Sequence, residues 1–162
     1  MSSIEVVEAE PGTVELILRE LSLSYGCEFD ELLRGYSFFL MIANFSQLFL
    51  TTATNVKKIV QALRGLKMHP YSIGIPVATL EPKVEPSLAF GEYMARACRK
   101  IVLDDSQLVR FLYGKSVKVD ANSGLFVVVD RRGDFLGYGE VIPSGNLLRP
   151  LRDLGWYLRK GG

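Results

Sequence analysis

One histidine, two cysteines and no convergent acidic cluster leave this 162-residue chain few ways to do chemistry. His69 stands beside Pro70 in an expected loop, with no paired Cys or acidic cluster, and reads as structural. Asp104 and Asp105 are adjacent and precede an expected helix, so they read as caps rather than as a carboxylate pair. Cys27 and Cys98 lack a second Cys or a His at metal-ligand spacing, so no metal is expected. Both are expected to be packed, reduced thiols, because free Cys is among the most buried residue types. Gly137-Tyr138-Gly139 is too short for a phosphate-gripping loop and lies inside an expected strand. Neither a Walker pattern nor a dinucleotide fingerprint occurs, so no cofactor is expected.

What remains is the C-terminal end. Arg149, Arg152, Arg159 and Lys160 are interleaved there with Trp156 and Tyr157. Arg and Lys neutralise phosphates, and Arg or aromatic planes stack on unpaired bases. If residues 151–160 are helical, Arg152 and Arg159 are seven apart and share a face. One of the two adjacent aromatics should then face the core; the expectation is a buried Trp156 and a partly exposed Tyr157. The plainer alternative makes Leu154, Trp156 and Leu158 core, with the charges only solvating the end. Charge distribution bears on the choice. Residues 1–40 carry eight acidic and two basic side chains, net −6, whereas residues 94–162 carry twelve basic and seven acidic, net +5. Such an asymmetry suggests a polyanion-facing end.

These side chains need a scaffold, and composition allows one. With 48% hydrophobic and 23% charged residues the chain has the proportions of a soluble globular protein of one ordinary or two small domains. No apolar run reaches the roughly 18 residues of a membrane span. The start at Met1, Ser2 and Ser3 lacks the basic and apolar parts of a signal peptide, so a cytoplasmic protein without membrane partners is expected. Apolar spacing of three and four predicts a helix over 13–25, with Val14, Ile17, Leu18, Leu21 and Leu23 inward and Gly26 as terminator. Short strands are predicted over 36–42, 47–52 and 72–80, and helices over 54–63 and 87–99. From about residue 100 the character changes. A strand at 101–103, a short helix at 106–112 and a strand opening at Val117 and Val119 precede two strong strands, 124–129 and 135–142. Asp130-Arg131-Arg132-Gly133-Asp134 between them is a hairpin turn in which Gly133 supplies positive φ. The expected fold class is α+β: an α/β domain with an antiparallel sheet and helices over 1–95, then a small β barrel over 96–162.

The run from Pro86 onward resembles the Nip-seven family of large-ribosomal-subunit assembly factors. The resembling pieces are Pro86-Ser87-Leu88 opening a helix and the block from Arg110 to Val117 (RFLYGKSV). The hairpin strands GLFVVV and FLGYG follow, and then the closing stretch from Asp153 to Lys160 (DLGWYLRK). Order and spacing together carry the likeness; the first half matches mainly in length and element order. The resemblance implies a C-terminal PUA domain, a pseudo-barrel that binds RNA, with the basic residues at the end of the last helix, here Arg159 and Lys160, at the RNA. It also implies single-stranded U- or A-rich segments of pre-rRNA, and other ribosome-assembly proteins, as partners. The family often has a longer, glycine-bearing loop where this chain has residues 118–123, so no RNA contact carries over to that loop.

The sequence therefore leads to a non-catalytic RNA-binding factor of ribosome biogenesis. Two rivals remain. In one, the acidic N-terminal third docks a basic protein and the chain is an adaptor. In the other, the chain is an accessory subunit of an RNA-modifying enzyme; about 95 residues before the barrel are too few for a pseudouridine synthase catalytic domain. Should the basic end not be the RNA surface, Arg131 with Arg132, or Lys115 with Lys118, are the next candidates.

Overall fold

The computed structural model describes residues 4–70, 72–143 and 146–160. Met1 to Ser3, on which the reading of the N-terminus rests, and the tail residue Gly162 lie outside them. Contacts divide the chain into two units, residues 1–20 with 30–90 and residues 21–29 with 91–162. The fold class is α+β.

Unit 1 is built on five strands in sequential antiparallel order: β1 (Glu5–Glu8), β2 (Ser37–Ile42), β3 (Gln47–Thr51), β4 (Ile75–Thr79) and β5 (Glu85–Pro86). Alternation along β2 puts Phe39 and Met41 on one face, where the register sets them opposite Phe49 and Val6. Helix α1 (Pro11–Tyr25) starts in this unit and its last turns belong to the other. Helix α2 (Val56–Gly65) lays Val56 and Val60, one turn apart, onto the same cluster of Val6, Phe39, Met41, Phe49 and Ile73. Leu48 and Leu50 point to the other face and are buried as well. Strand β3 therefore reads as a continuous apolar run rather than an alternating one.

Unit 2 opens with helix α3 (Gly91–Ala97), which follows a 3₁₀ turn at Leu88–Phe90 in unit 1. The helix predicted over 87–99 is thus shorter and starts later. Strand β6 (Lys100–Val102), helix α4 (Asp105–Leu112), β7 (Val117–Lys118), β8 (Gly124–Val129), β9 (Phe135–Ile142), β10 (Leu147–Asp153) and helix α5 (Gly155–Lys160) follow. The sheet order is β6-β8-β9-β10-β7, a curled half-barrel in which only β6 and β8 are parallel. Its core joins Ile101, Leu103, Phe111, Val128, Val141 and Leu148. The β8–β9 turn is tied by the Asp130 carboxylate, which accepts the backbone N–H groups of Arg132 and Asp134, both at 2.9 Å, while Gly133 takes φ of 87°. Gly137 and Gly139 serve close packing. A Cβ on Gly137 would lie 2.7 Å from the Asp153 Cα, and one on Gly139 would lie 2.6 Å from a Leu148 methyl.

The cysteines correct the sequence reading. Cys27 and Cys98 are not reduced thiols; they form a disulfide. Gly26 turns the chain out of α1, and Glu28 N–H donates to Ala97 O while Arg99 N–H donates to Tyr25 O. These bonds bring together residues 71 apart in sequence. No sequence spacing signals this, because tertiary pairing creates the proximity.

Candidate nucleic-acid interface

The strand–helix junction at the C-terminus distributes the expected cations differently from one helical face. Helix α5 begins only at Gly155, so Arg152 lies on β10 and does not share a helical face with Arg159. Gly155 sets that start, because a Cβ there would overlap the Leu112 carbonyl. Arg149 faces Glu140 across β9 and β10 in register, and the pair closes at 2.6 Å on the surface. Arg152 lies past the bulge at Pro150 and is exposed.

Arg159 has a structural partner. Its guanidinium donates to both oxygens of Asp153, at 3.0 and 3.2 Å, and to the Leu112 carbonyl. Asp153 is the one charged residue buried among those described, so it depends on this fork for its charge to be tolerated. Lys160 at the helix end is exposed.

The same anchoring explains the aromatics. Gly155 and Arg159, one turn apart, face the domain, so the residues between them turn outward. Trp156 is 50% exposed and Tyr157 59%, which corrects the expectation of a buried Trp156. The two rings meet edge-on with centroids 5.3 Å apart. Val109 on α4 and Tyr113 just past its end are likewise exposed.

A cleft that the sequence reading did not assemble lies between α4, β7 and the start of β10. Its volume is about 370 Å³, and Ser106, Gln107, Arg110, Ser116 and Lys118 line it. Local chemistry builds it. Asp104 accepts the Gln107 backbone N–H at 2.8 Å and its own N–H donates to the Gln107 side chain at 3.0 Å, a capping box that fixes the first turn of α4. The Gln107 amide also donates to Lys118 O at 2.9 Å, and Arg110 reaches Ser116 O at 3.4 Å. Gly114, with φ of 78°, turns the chain so that Lys118 returns beside Arg110. Lys118 had been a reserve candidate; Arg110 was missed, although both cations flank the one glycine between α4 and β7. Two exposed guanidinium and ammonium groups with serine hydroxyls beside them can hold a phosphate.

Two other titratable groups of unit 2 are structural. Arg99 lies 5.2 Å over the Phe126 ring and donates to the carbonyls of Ser24, Tyr25 and Leu125. Tyr138, packed against Tyr25 and Phe135, has a pKa pushed well above the usual tyrosine value, first by burial and then by Tyr25, against an opposing pull from Arg152. Among the described residues no three His, Cys, Asp or Glu side chains come together as a metal site. Among the described residues no helix is long and apolar enough to cross a membrane.

Comparison with known proteins points to the same half of the molecule. The chain is 36% identical over 113 residues to a UPF0113 protein of Aeropyrum pernix, a match covering 63% of this chain and 64% of that relative's length. A conserved PUA domain protein of Thermoplasma acidophilum has a similar structure, with a TM-score of 0.58 at 15% identity over 93% of this chain and 95% of that one. So does a PUA domain of Aeropyrum pernix K1 solved as a tartrate complex, with a TM-score of 0.52 at 9% identity over 95% and 88%. A hypothetical protein of Pyrococcus horikoshii OT3 gives 0.51 at 14% identity over 95% and 99%. At these identities the likeness is one of fold, and residues 99–162 match the family model described as the UPF0113 PUA domain, a kind of domain that generally binds RNA.

Proposed function

We propose that this chain is a non-catalytic RNA-binding factor that holds single-stranded, U- or A-rich RNA on unit 2. The observation that carries the reading is the cleft beside α4, which Arg110 and Lys118 both line together with Ser106 and Ser116, in the part of the chain that matches a PUA domain. Phosphates would be neutralised at that cleft and at Arg152 and Lys160, and Arg149 and Arg159 could join only by leaving Glu140 and Asp153. Single-stranded RNA fits better than duplex, because unpaired bases can be splayed onto a protein surface. The resemblance to the Nip-seven family supports a finer reading: large-subunit assembly and pre-rRNA processing, in the cytoplasm, beside other assembly proteins. A disulfide fits that compartment where intracellular bridges persist, as they do in hyperthermophiles.

The test is a salt titration of binding to a labelled single-stranded U-rich oligoribonucleotide, by anisotropy. Arg110→Ala with Lys118→Ala should weaken binding and lower the log–log salt slope by about 1.4, two single-strand phosphate contacts. An unchanged slope in a folded double variant would move the RNA off the cleft.

A further inference from the structure

We propose that the outward face of α5 is a stacking platform for unpaired RNA bases, with Trp156 and Tyr157 carrying the bases and Lys160, one turn further along the same face, holding a phosphate. The proposal rests on the RNA-binding reading above and adds how the bases themselves are held. Counting from Gly155, which faces the domain, a helix places Trp156 at about 100°, Lys160 at about 140° and Tyr157 at about 200°. Lys160 therefore leaves the helix on the same face as the two rings, about one turn further along the axis. Both rings are more than half or about half exposed, although aromatic rings of this size normally dominate cores. Their outward direction is enforced: Gly155 sits under the Leu112 carbonyl and Arg159 is held by Asp153 and Leu112, so the helix cannot roll to bury them. They also stand edge-on to one another, so each keeps a face available. An exposed apolar face covered by a protein would not need a cation beside it, whereas a polynucleotide offers π-faces and phosphates at alternate positions. Every base has such a face, so the platform is tolerant of sequence and favours the larger purines.

Trp156 is the only tryptophan in the chain, so its emission reports this site directly. The full-length protein should be titrated with single-stranded oligo(A), oligo(U) and an abasic oligonucleotide of equal length, reading both anisotropy of the RNA and tryptophan emission. Oligo(A) should quench Trp156 and shield it from acrylamide, more strongly than oligo(U), and the abasic strand should do neither. Trp156→Ala should lose about tenfold in oligo(A) affinity and little in abasic affinity, with the salt slope unchanged. RNA bound by anisotropy with unperturbed Trp156 emission would overturn the platform and leave RNA binding standing. Failure of every strand to bind would overturn both, and a concentration-dependent emission change without RNA would assign the face to a second copy of the chain instead.

Discussion

At the scale of single residues, the Asp153–Arg159 pair separates structural from functional charge. Removing Arg159 strands a buried carboxylate, so Arg159→Ala should cost about 2–4 kcal/mol in urea unfolding. Arg159→Lys should recover little of it, because an ammonium cannot reproduce the two-pronged contact. Lys160→Ala should leave the urea midpoint in place while weakening RNA binding. Tyr138 supplies a second expectation. Its pKa lies well above the usual value of 10.0 in the folded chain, chiefly through burial, so the native state keeps a proton that the unfolded state loses. Stability from this group is full below about pH 10 and falls as pH rises above it. Tyr138→Phe should flatten the alkaline limb of a stability–pH profile, and an equally steep limb in that variant would contradict the assignment. The cationic and aromatic character of the C-terminus was readable from the chain. Which cations were already engaged was not, because Asp153 and Arg159 meet across a strand–helix junction whose position depends on Gly155 fitting against Leu112.

At the scale of elements, the hairpin of β8 and β9 was legible because GLFVVV, the Asp130–Gly133 turn and the following strand all agree locally. Strand β10 was not. Leu147–Asp153 carries Pro150 and two arginines, and its last residues from Leu151 read as the start of a helix, yet the strand runs on past a register shift beside Pro150 that absorbs the missing N–H. Misplacing that boundary by four residues is what put Arg152 on the wrong element. Strands β1 and β5, of four and two residues, were too short to show a pattern. The disulfide between the end of α1 and the end of α3 was invisible for the same kind of reason, since it depends on distant backbone bonds. It closes a separation of 71 residues, and by chain entropy its reduction should cost about 4 kcal/mol. Urea unfolding with and without a thiol reductant measures this; coincident curves would mean the bridge contributes nothing.

At the scale of the whole molecule, the excess of basic side chains and the match to a PUA domain fall on the same part of the chain, which is why the proposed RNA surface is put on unit 2. That unit also includes residues 21–29, which bring Tyr25 under Tyr138 and Cys27 to Cys98. Residues 96–162 expressed alone should consequently unfold at much lower urea than the same region in the full chain, and a fragment of unchanged midpoint would show that residues 21–29 are dispensable. The most direct test of the account is photocrosslinking of the full chain to a single-stranded RNA carrying 4-thiouridine, followed by mapping of the crosslinked peptides. Crosslinks are expected within residues 106–118 and 152–160; crosslinks confined to residues 30–90, or none at saturating protein, would contradict RNA binding on unit 2.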